Sequence, residues 1–213
     1  MTFHVRFSLF LPLFLQYLLM RKCKIMKKIV LFASGSGSNV ENIVNFFKKN
    51  DQVEFAKVFT NNRNAYVIER CAKLGVPCSV FGRKDFVENR SVLDELQLIK
   101  PDLIVLAGFL WLVPQAYVKA FPNQIINIHP ALLPNYGGKG MYGEHVHKAV
   151  VANNESESGI TIHYVNENYD EGGFIRQEKC MIQADDTAED VAAKVHELEY
   201  KFFPIVIEEL LDL

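Results

Sequence analysis

The stretch "KIVLFASGSGSNVENIVNFFKKN", residues 28–50, contains the two patterns from which the fold of this chain can be predicted. Residues 28–33 are rich in β-branched and aromatic side chains, which predicts a strand. Further along, Val40, Ile43, Val44 and Phe47 recur at spacings of three and four, which is typical of one buried face of a helix. The two parts are joined by a short segment of serine and glycine. The stretch therefore predicts a strand, a glycine-rich loop and a helix in direct succession.

The same alternation continues to residue 128. Apolar runs of strand length alternate with amphipathic stretches of helical length, and Gly75 suits the end of one helix. The predicted strands are 53–60, 78–81, 102–109 and 124–128, and the predicted helices are 65–75, 91–100 and 114–121. Continuous apolar strands that alternate with helices predict a parallel sheet covered on both faces.

The pattern changes after residue 158. Two strands, 159–165 and 173–182, are separated by too few residues for a crossover helix, so we expect them to pair antiparallel at one edge. From Thr187 the chain is predicted to be helical, with Thr187 and Asp190 in capping-box order. Pro204 is expected to kink this helix or divide it in two. The predicted fold class is α/β: a mostly parallel, Rossmann-like sheet with helices on both faces and an antiparallel edge.

Composition limits the functions that this chain can have. With 213 residues, 49% of them hydrophobic and 23% charged, it can form one sizeable core, or at most two small ones, and a single domain is expected. Its formal net charge of −2 leaves no basic excess to bind nucleic acid. Four cysteines without C-x-x-C spacing indicate free thiols in a reducing compartment, so we expect a cytoplasmic protein.

The first 25 residues differ from the rest. Residues 7–20 form an apolar run interrupted by Pro12, shorter than the roughly 20 residues that span a bilayer. Met26 then opens "MKKIVLFASGSGSN", which is typical of the start of a cytoplasmic protein. We therefore interpret residues 1–25 as an N-terminal extension that is non-native or dispensable, with a signal sequence or membrane anchor as the alternative.

The loop "SGSGSN", residues 34–39, predicts a phosphate site. Glycines let backbone amides turn toward a ligand, and a helix N-terminus adds unpaired N–H groups. Val40 occupies the third glycine position of G-x-G-x-x-G, so a monophosphate fits better than a dinucleotide. The alternative is a tight turn in which Ser38 or Asn39 caps the helix.

The stretch "IINIHPALLP" ends a predicted strand in Asn127 and His129. Ligands bind outside the carboxyl ends of such strands, and residues two apart project to the same side. An amide can donate to a developing oxyanion, and an imidazole can exchange a proton near neutrality. The pair is therefore a candidate catalytic site, and a histidine that merely ends a strand is the alternative.

Asp170, in the glycine-terminated loop "NENYDEGG", is a candidate third member. Placed close to His129, its carboxylate would orient the imidazole and raise the pKa of that ring. The alternative is an aspartate that only solvates a turn.

The remaining candidates carry weaker signals. His145 and His147 resemble a metal pair, but residues two apart on a helix face different directions, so we expect no metal. His163 alternates within a strand and is interpreted as structural. Trp111 either lines a flat pocket or fills the core.

Four motifs in order, "SGSGSN", "LAGF", "NIHPALLP" and "YDEGG", resemble the phosphoribosylglycinamide formyltransferase family over about residues 27–208. The resemblance implies a single formyltransferase domain over residues 26–213. It further implies transfer of a formyl group from the co-substrate 10-formyltetrahydrofolate to the amine of 5′-phosphoribosylglycinamide, in de novo purine (IMP) biosynthesis. Metal, nucleic acid and membrane have no part in that reaction, and a monomer or homodimer is expected.

The resemblance also implies roles for individual residues. The catalytic residues would be Asn127, His129 and Asp170. The phosphate and ribose of the substrate would meet Gly37, Ser38, Asn39, His196 and Glu199. Folate would meet Arg90, Leu110, Trp111, Leu112, Val113, Asn166, Glu167, Asn168 and Tyr169. Trp111 stands where many members have arginine, so only backbone contacts carry over at that position.

Two other functions stay open. One is another folate-dependent formyl enzyme, such as a methionyl-tRNA formyltransferase or a formyltetrahydrofolate hydrolase. These carry a further domain, and the mild acidity of this chain argues against tRNA. The other is a phosphate-binding module without catalysis, which has no reason to cluster Asn127, His129 and Asp170.

Overall fold

The computed structural model describes residues 26–213, so the extension expected at residues 1–25 lies outside the described residues. These residues form a single sheet of seven strands. The strands are β1 (Lys27–Phe32), β2 (Val53–Thr60), β3 (Cys78–Val80), β4 (Leu103–Leu106), β5 (Ile125–His129), β6 (Glu157–Tyr164) and β7 (Phe174–Met181). Their order across the sheet is β3-β2-β1-β4-β5-β6-β7.

Six α-helices connect or flank the strands in the described part of the chain. They are α1 (Ser38–Phe46), α2 (Val67–Leu74), α3 (Ser91–Ile99), α4 (Gln115–Ala120), α5 (Glu144–Ala152) and α6 (Ala188–Leu210), with a π-helical turn at Lys84–Glu88. Gly75 ends α2 in the left-handed conformation, and a complete capping box between Thr187 and Asp190 begins α6, as the sequence predicts.

The predicted strand directions are confirmed. The pairs from β3 through β5 are parallel, whereas β6 pairs antiparallel with both β5 and β7. The fourth strand is shorter than the predicted 102–109 because its pairing with β1 ends at Phe32 and Leu106. After these residues, β1 and β4 both end, and the segments that follow them form loops at the carboxyl edge of the sheet.

Both faces of the sheet are buried, which explains the continuous apolar strands. In β1, Ile29 and Leu31 pack into the core under α1, α2, α5 and α6, while Val30 and Phe32 pack into a second, aromatic-rich core under α3 and α4. All four side chains are almost fully buried. A strand covered on both sides cannot alternate apolar with polar residues.

The sequence predicts that Pro204 kinks the last helix or divides it in two, and division is not observed. Helix α6 runs unbroken from Ala188 to Leu210 with Pro204 inside it. Proline has no N–H for the carbonyl four residues earlier, which belongs to Tyr200. The side-chain amide of Asn42 donates to that carbonyl at 2.8 Å, so the freed acceptor is satisfied and the helix continues.

None of the helices within residues 26–213 is both long enough and apolar enough to cross a membrane.

Candidate active site

A cavity of about 650 Å³ opens at the carboxyl ends of β1, β4 and β5. These strands are neighbours in a parallel sheet, so the loops that follow them meet at one edge. Its lining includes the loop at 35–39, the segment 106–113, residues 127–130, the loop at 138–143 and residues 168–170. Helices α5 and α6 contribute His147, His196 and Glu199.

Asn127, His129 and Asp170 come together in this cavity. The carboxylate Oδ2 of Asp170 lies 3.4 Å from Nδ1 of His129, and its Oδ1 lies 3.5 Å from Nδ2 of Asn127. Asn127 and His129 share one side at the end of β5. The loop after β6 returns Asp170 to them because β6 pairs antiparallel with β5.

Burial lowers the pKa of His129. Its side chain is 4% exposed, and loss of water disfavours the charged ring. Asp170 and the carbonyl of Tyr136 act in the opposite direction, and the net pKa nevertheless stays below the ordinary value. Asp170 thus raises this pKa as expected, but burial outweighs the carboxylate and the net shift is downward.

Asp170 is held as a carboxylate. Burial alone would raise its pKa, but His163, His129 and the N–H of Gly138 outweigh burial and lower it. The Gly138 N–H donates to Oδ2 at 3.0 Å. Ionised Asp170 can therefore act as an acceptor at the centre of the site.

His163, interpreted from the sequence as structural, belongs to this cluster. Its Nδ1 donates to the carbonyl of Tyr164 at 2.9 Å, so Nε2 can accept from the amide of Asn127 at 3.1 Å. Asn127 and His163 face each other across the antiparallel pair of β5 and β6. That register was the signal that would have identified His163.

The glycine loop has the geometry of an anion site. Gly37 has a φ of 73°, and a Cβ there would overlap Val67. Helix α1 begins at Ser38 without a side-chain cap, so the alternative in which Ser38 or Asn39 caps it is not observed. Gly37, Ser38 and Asn39 line the cavity, so the first N–H groups of α1 lie beside it.

Helix α6 brings a pair of polar side chains to the end of the cavity that residues 35–39 line, the loop end. Glu199 is 6% exposed, its Oε2 accepts from Nδ2 of Asn39 at 2.9 Å, and burial raises the pKa of its carboxyl. His196 lines the cavity one turn earlier, as the i, i+3 spacing predicts. The Oδ1 atom of Asn39 is buried without a hydrogen-bond partner in the part of the chain described.

His147 also lines this end of the cavity, although the sequence suggested only a rejected metal pair. Its ring is 2% exposed, its Nδ1 has no partner among residues 26–213, and burial lowers its pKa to about 4. His145 faces solvent and packs against Tyr142. Helical geometry separates the two rings, as expected for residues two apart.

The segment 110–113 presents backbone and apolar side chains to the cavity. The N–H of Leu110 donates to Oγ of Ser34 at 3.0 Å, and that of Leu112 donates to the phenol of Tyr169 at 3.1 Å. Trp111 lines the cavity, and its ring also packs edge-on against Phe81. The two sequence interpretations of Trp111 both apply.

Three of the predicted folate residues do not line the cavity. Arg90 lies before α3 with a φ of 60°, and Asn166 and Glu167 stand outside the lining. Asn168 and Tyr169 do line it. A folate contact by the first three residues stays a prediction.

Within residues 26–213, no three His, Cys, Asp or Glu side chains are grouped so that they could hold a metal ion.

Comparisons with known proteins show the family of this chain. The model of the formyl transferase family matches residues 27–207. The chloroplastic phosphoribosylglycinamide formyltransferase of Vigna unguiculata is 39% identical over 86% of this chain, which spans 61% of that relative's length. The phosphoribosylglycinamide formyltransferase of Bacillus subtilis is 37% identical, with 88% of this chain and 96% of that protein covered.

Among solved structures, glycinamide ribonucleotide transformylase 1 from Geobacillus kaustophilus superposes with a TM-score of 0.79 at 34% identity. The match covers 87% of this chain and 99% of that one. This chain therefore belongs to the formyl transferase family, and the relatives named here are phosphoribosylglycinamide formyltransferases.

Proposed function

We propose that this chain transfers the formyl group of 10-formyltetrahydrofolate to the primary amine of 5′-phosphoribosylglycinamide, in purine biosynthesis. The observation that carries the proposal is the convergence of Asn127, His129 and Asp170 in the cavity that the glycine loop also lines. The loop follows β1, and Asn127 and His129 lie at the end of β5, two strands away in the sheet. Strand spacing places the two ends about 10 Å apart, the scale of a ribose phosphate with its glycinamide arm.

The phosphoribosyl half fits the loop end. A phosphate at the start of α1 would accept from the N–H groups near Gly37, Ser38 and Asn39. The ribose hydroxyls could then donate to Glu199, and His196 lies one helical turn away. Among residues 26–213, Lys139 is the only lysine or arginine that lines the cavity, while Arg70 donates to the carbonyl of Ser36 at 2.9 Å and so adds positive charge beside the loop. Backbone N–H groups, the nearby histidines and the charge of Arg70 would bind the phosphate.

The folate fits the opposite wall. Leu110 and Leu112 are 46% and 40% exposed, which is unusual for leucines beside a buried strand. A flat pterin ring would cover these side chains and hydrogen-bond to the backbone of 110–113. Asn168 and Tyr169 would close the same wall.

In the reaction, the substrate amine attacks the formyl carbon and forms a C–N bond. The former carbonyl oxygen becomes an oxyanion, and the bond from carbon to the folate nitrogen then breaks. Nδ2 of Asn127 lies 3.1 Å from Nε2 of His163 and 3.5 Å from Oδ1 of Asp170, and a closer oxyanion would replace the longer of these contacts. Negative charge beside His129 would favour its charged form and offset the burial that lowers its pKa.

Asp170 would complete the proton transfers. As a carboxylate it can stabilise the imidazolium of His129 and hold a water molecule. That water would take the proton that the amine loses and deliver one to the departing folate nitrogen. The reaction then needs no covalent enzyme intermediate.

The test is to incubate the protein with 10-formyltetrahydrofolate, with and without phosphoribosylglycinamide, and to follow the release of tetrahydrofolate. The proposal expects release that depends on the amine and yields a formylated product. Release without the amine would identify a hydrolase. No release under either condition, with the substrates bound, would favour the phosphate-binding module.

We propose that residues 26–213 carry this activity as one cytoplasmic domain with small-molecule substrates. A protein that begins at Met26 should match the turnover of the full chain. A large loss of turnover in the shortened protein would contradict this assignment.

A further inference from the structure

Tyr136 connects the protein surface to His129 through hydrogen bonds at its phenol and at its backbone carbonyl. The carbonyl oxygen of Tyr136 accepts from Nε2 of His129 at 2.7 Å. At the other end of the same residue, the phenol of Tyr136 donates to Oε1 of Glu155 at 2.7 Å and accepts from Nδ2 of Asn153 at 2.8 Å. Glu155 and Asn153 lie in the turn after α5, away from the catalytic cluster.

The backbone of Tyr136 is in an unfavourable conformation. Its φ of 56° lies in the left-handed region, which bulky side chains rarely occupy. Such a conformation persists when the surroundings hold it. Two hydrogen bonds to the phenol stabilise this conformation, as does packing of the ring against the core under α1, α2, α5 and α6.

The segment 136–138 contacts two of the proposed catalytic residues. The carbonyl of Tyr136 binds one nitrogen of His129, and two residues later the N–H of Gly138 donates to Oδ2 of Asp170 at 3.0 Å. The same Oδ2 lies 3.4 Å from the other nitrogen of His129. A displacement of this segment would therefore move the imidazole and its carboxylate together.

We propose that Tyr136, anchored by Glu155 and Asn153, is a positioning residue that sets the orientation and the tautomer of His129. The proposal rests on the function proposed above only for its effect on turnover.

The carbonyl of Tyr136 determines which nitrogen of His129 carries a proton. A carbonyl oxygen cannot donate, so Nε2 of His129 must carry a proton in both the neutral and the charged ring. Only Nδ1, beside Asp170, can then gain and lose a proton. The anchored carbonyl also favours the imidazolium, because it accepts from the charged ring more strongly than from the neutral one.

The first test is Tyr136→Phe, which removes the phenol oxygen and keeps the ring and the backbone. NMR of ¹⁵N-labelled histidine, with His129 assigned through its loss in His129→Asn, reports tautomer and pKa. The wild type should show Nε2 protonated. Tyr136→Phe should show a mixture of tautomers and a lower pKa for His129, with kcat reduced about two- to tenfold, the range expected for one hydrogen bond, at unchanged KM.

Variants of the anchor provide the second test. Glu155→Ala should reproduce the change in the His129 signals, whereas Glu155→Gln keeps an oxygen acceptor for the phenol and should restore the wild-type signals. Glu157→Ala is the matched control, because Glu157 lies two residues away and pairs with Lys179 on the surface. It should change neither the signals nor kcat.

Unchanged His129 signals in both Tyr136→Phe and Glu155→Ala would overturn the inference, whatever happens to kcat. The NMR measurement uses the protein without substrate, so it stays decisive even if formyl transfer itself is not observed. Failure of the proposed function and failure of this inference are therefore distinguishable.

Discussion

The two ends of the cavity differ in how their buried polar atoms are satisfied. At the catalytic end, both nitrogens of His129, the amide nitrogen of Asn127 and both oxygens of Asp170 contact protein groups. At the loop end, Oδ1 of Asn39 and Nδ1 of His147 are buried without a hydrogen-bond partner in the described chain. Native proteins leave few such atoms, and each one calls for an explanation.

From this difference in hydrogen bonding we infer that the catalytic end acts in the reaction and that the loop end binds a ligand. Groups that already hold one another are preorganised for charge that develops during a reaction. Groups that lack partners gain them from a ligand that supplies donors and acceptors. Substitutions at the catalytic end should therefore reduce turnover, and substitutions at the loop end should weaken binding of the phosphoribosyl substrate.

The strongest challenge to this comparison is His129→Ala. Removal of one group that stabilises an oxyanion costs about a hundredfold or more in kcat, and the KM of both substrates should change little. Steady-state kinetics measure both values, and thermal unfolding checks that the fold is intact. His145→Ala is the matched control, because this ring faces solvent on α5. Retention of most activity by His129→Ala would reject the catalytic assignment.

The loop end is tested by Gly37→Ala. A Cβ at Gly37 overlaps Val67, and a left-handed φ costs a residue other than glycine about 1–2 kcal/mol. We expect the KM for phosphoribosylglycinamide to rise about tenfold, equivalent to about 1.4 kcal/mol, and kcat to stay near the wild-type value.

Gly75→Ala is the control for this variant, since Gly75 has a similar φ of 70°, lies outside the cavity lining and has nothing within 4 Å of an added Cβ. It should bind the substrate as the wild type does. Equal effects of the two substitutions on KM would show that the conformation of Gly37 does not build the phosphate site.

The unpaired imidazole of His147 gives the loop end a pH dependence. Burial lowers the pKa of His147 to about 4 in the folded state, against about 6.5 in the unfolded chain, so the unfolded chain takes up the proton first as pH falls. The free energy of unfolding should therefore decrease below pH 6.5, by about 1.5 kcal/mol between pH 6.5 and pH 5 from this residue.

Urea unfolding at several pH values measures this term as the difference between the wild type and His147→Asn. The variant should lose less stability over the same range, while His145→Asn should follow the wild type. Identical pH dependence in His147→Asn and the wild type would show that His147 is not buried as a neutral ring.

Much of the fold follows from the sequence because its causes are local. Apolar runs and helical spacing predict the strands, the helices and the antiparallel edge, and Gly75 and the Thr187 capping box mark helix ends correctly. The continuation of α6 through Pro204 could not be predicted, because it depends on an amide from Asn42, 158 residues away from Tyr200.

Site residues could be predicted where a characteristic side chain in a motif makes the contribution. Asn127, His129 and Asp170 stand in motifs that resemble a known family, and the structure brings them together. His163 was missed because its role depends on strand register. Tyr136 was missed because its contribution to His129 is a backbone carbonyl, which every residue possesses.

The smallest expected effect concerns the connection of α6 to the loop end. Two hydrogen bonds join α1 to α6 side by side: Asn39 to Glu199, and Asn42 to the carbonyl of Tyr200. Asn42→Ala removes only the second, at a cost of about 0.5–1 kcal/mol in unfolding free energy. The KM for phosphoribosylglycinamide should rise about twofold, since the Asn39–Glu199 pair stays in place.

A double-mutant cycle tests whether the hydrogen bond from Asn42 stabilises the fold because Pro204 leaves the Tyr200 carbonyl without a donor in α6. Pro204→Ala restores an N–H within α6 that can bind the Tyr200 carbonyl, so Asn42→Ala should cost less in that background than in the wild type. Urea unfolding of the four proteins yields the coupling, expected at about 0.5 kcal/mol. Equal costs in both backgrounds would mean that solvent, rather than Asn42, satisfies the carbonyl. Of these two hydrogen bonds, only the one between Asn39 and Glu199 would then connect α1 to α6, and the loop end would contrast more strongly with the catalytic end, where the polar groups contact one another.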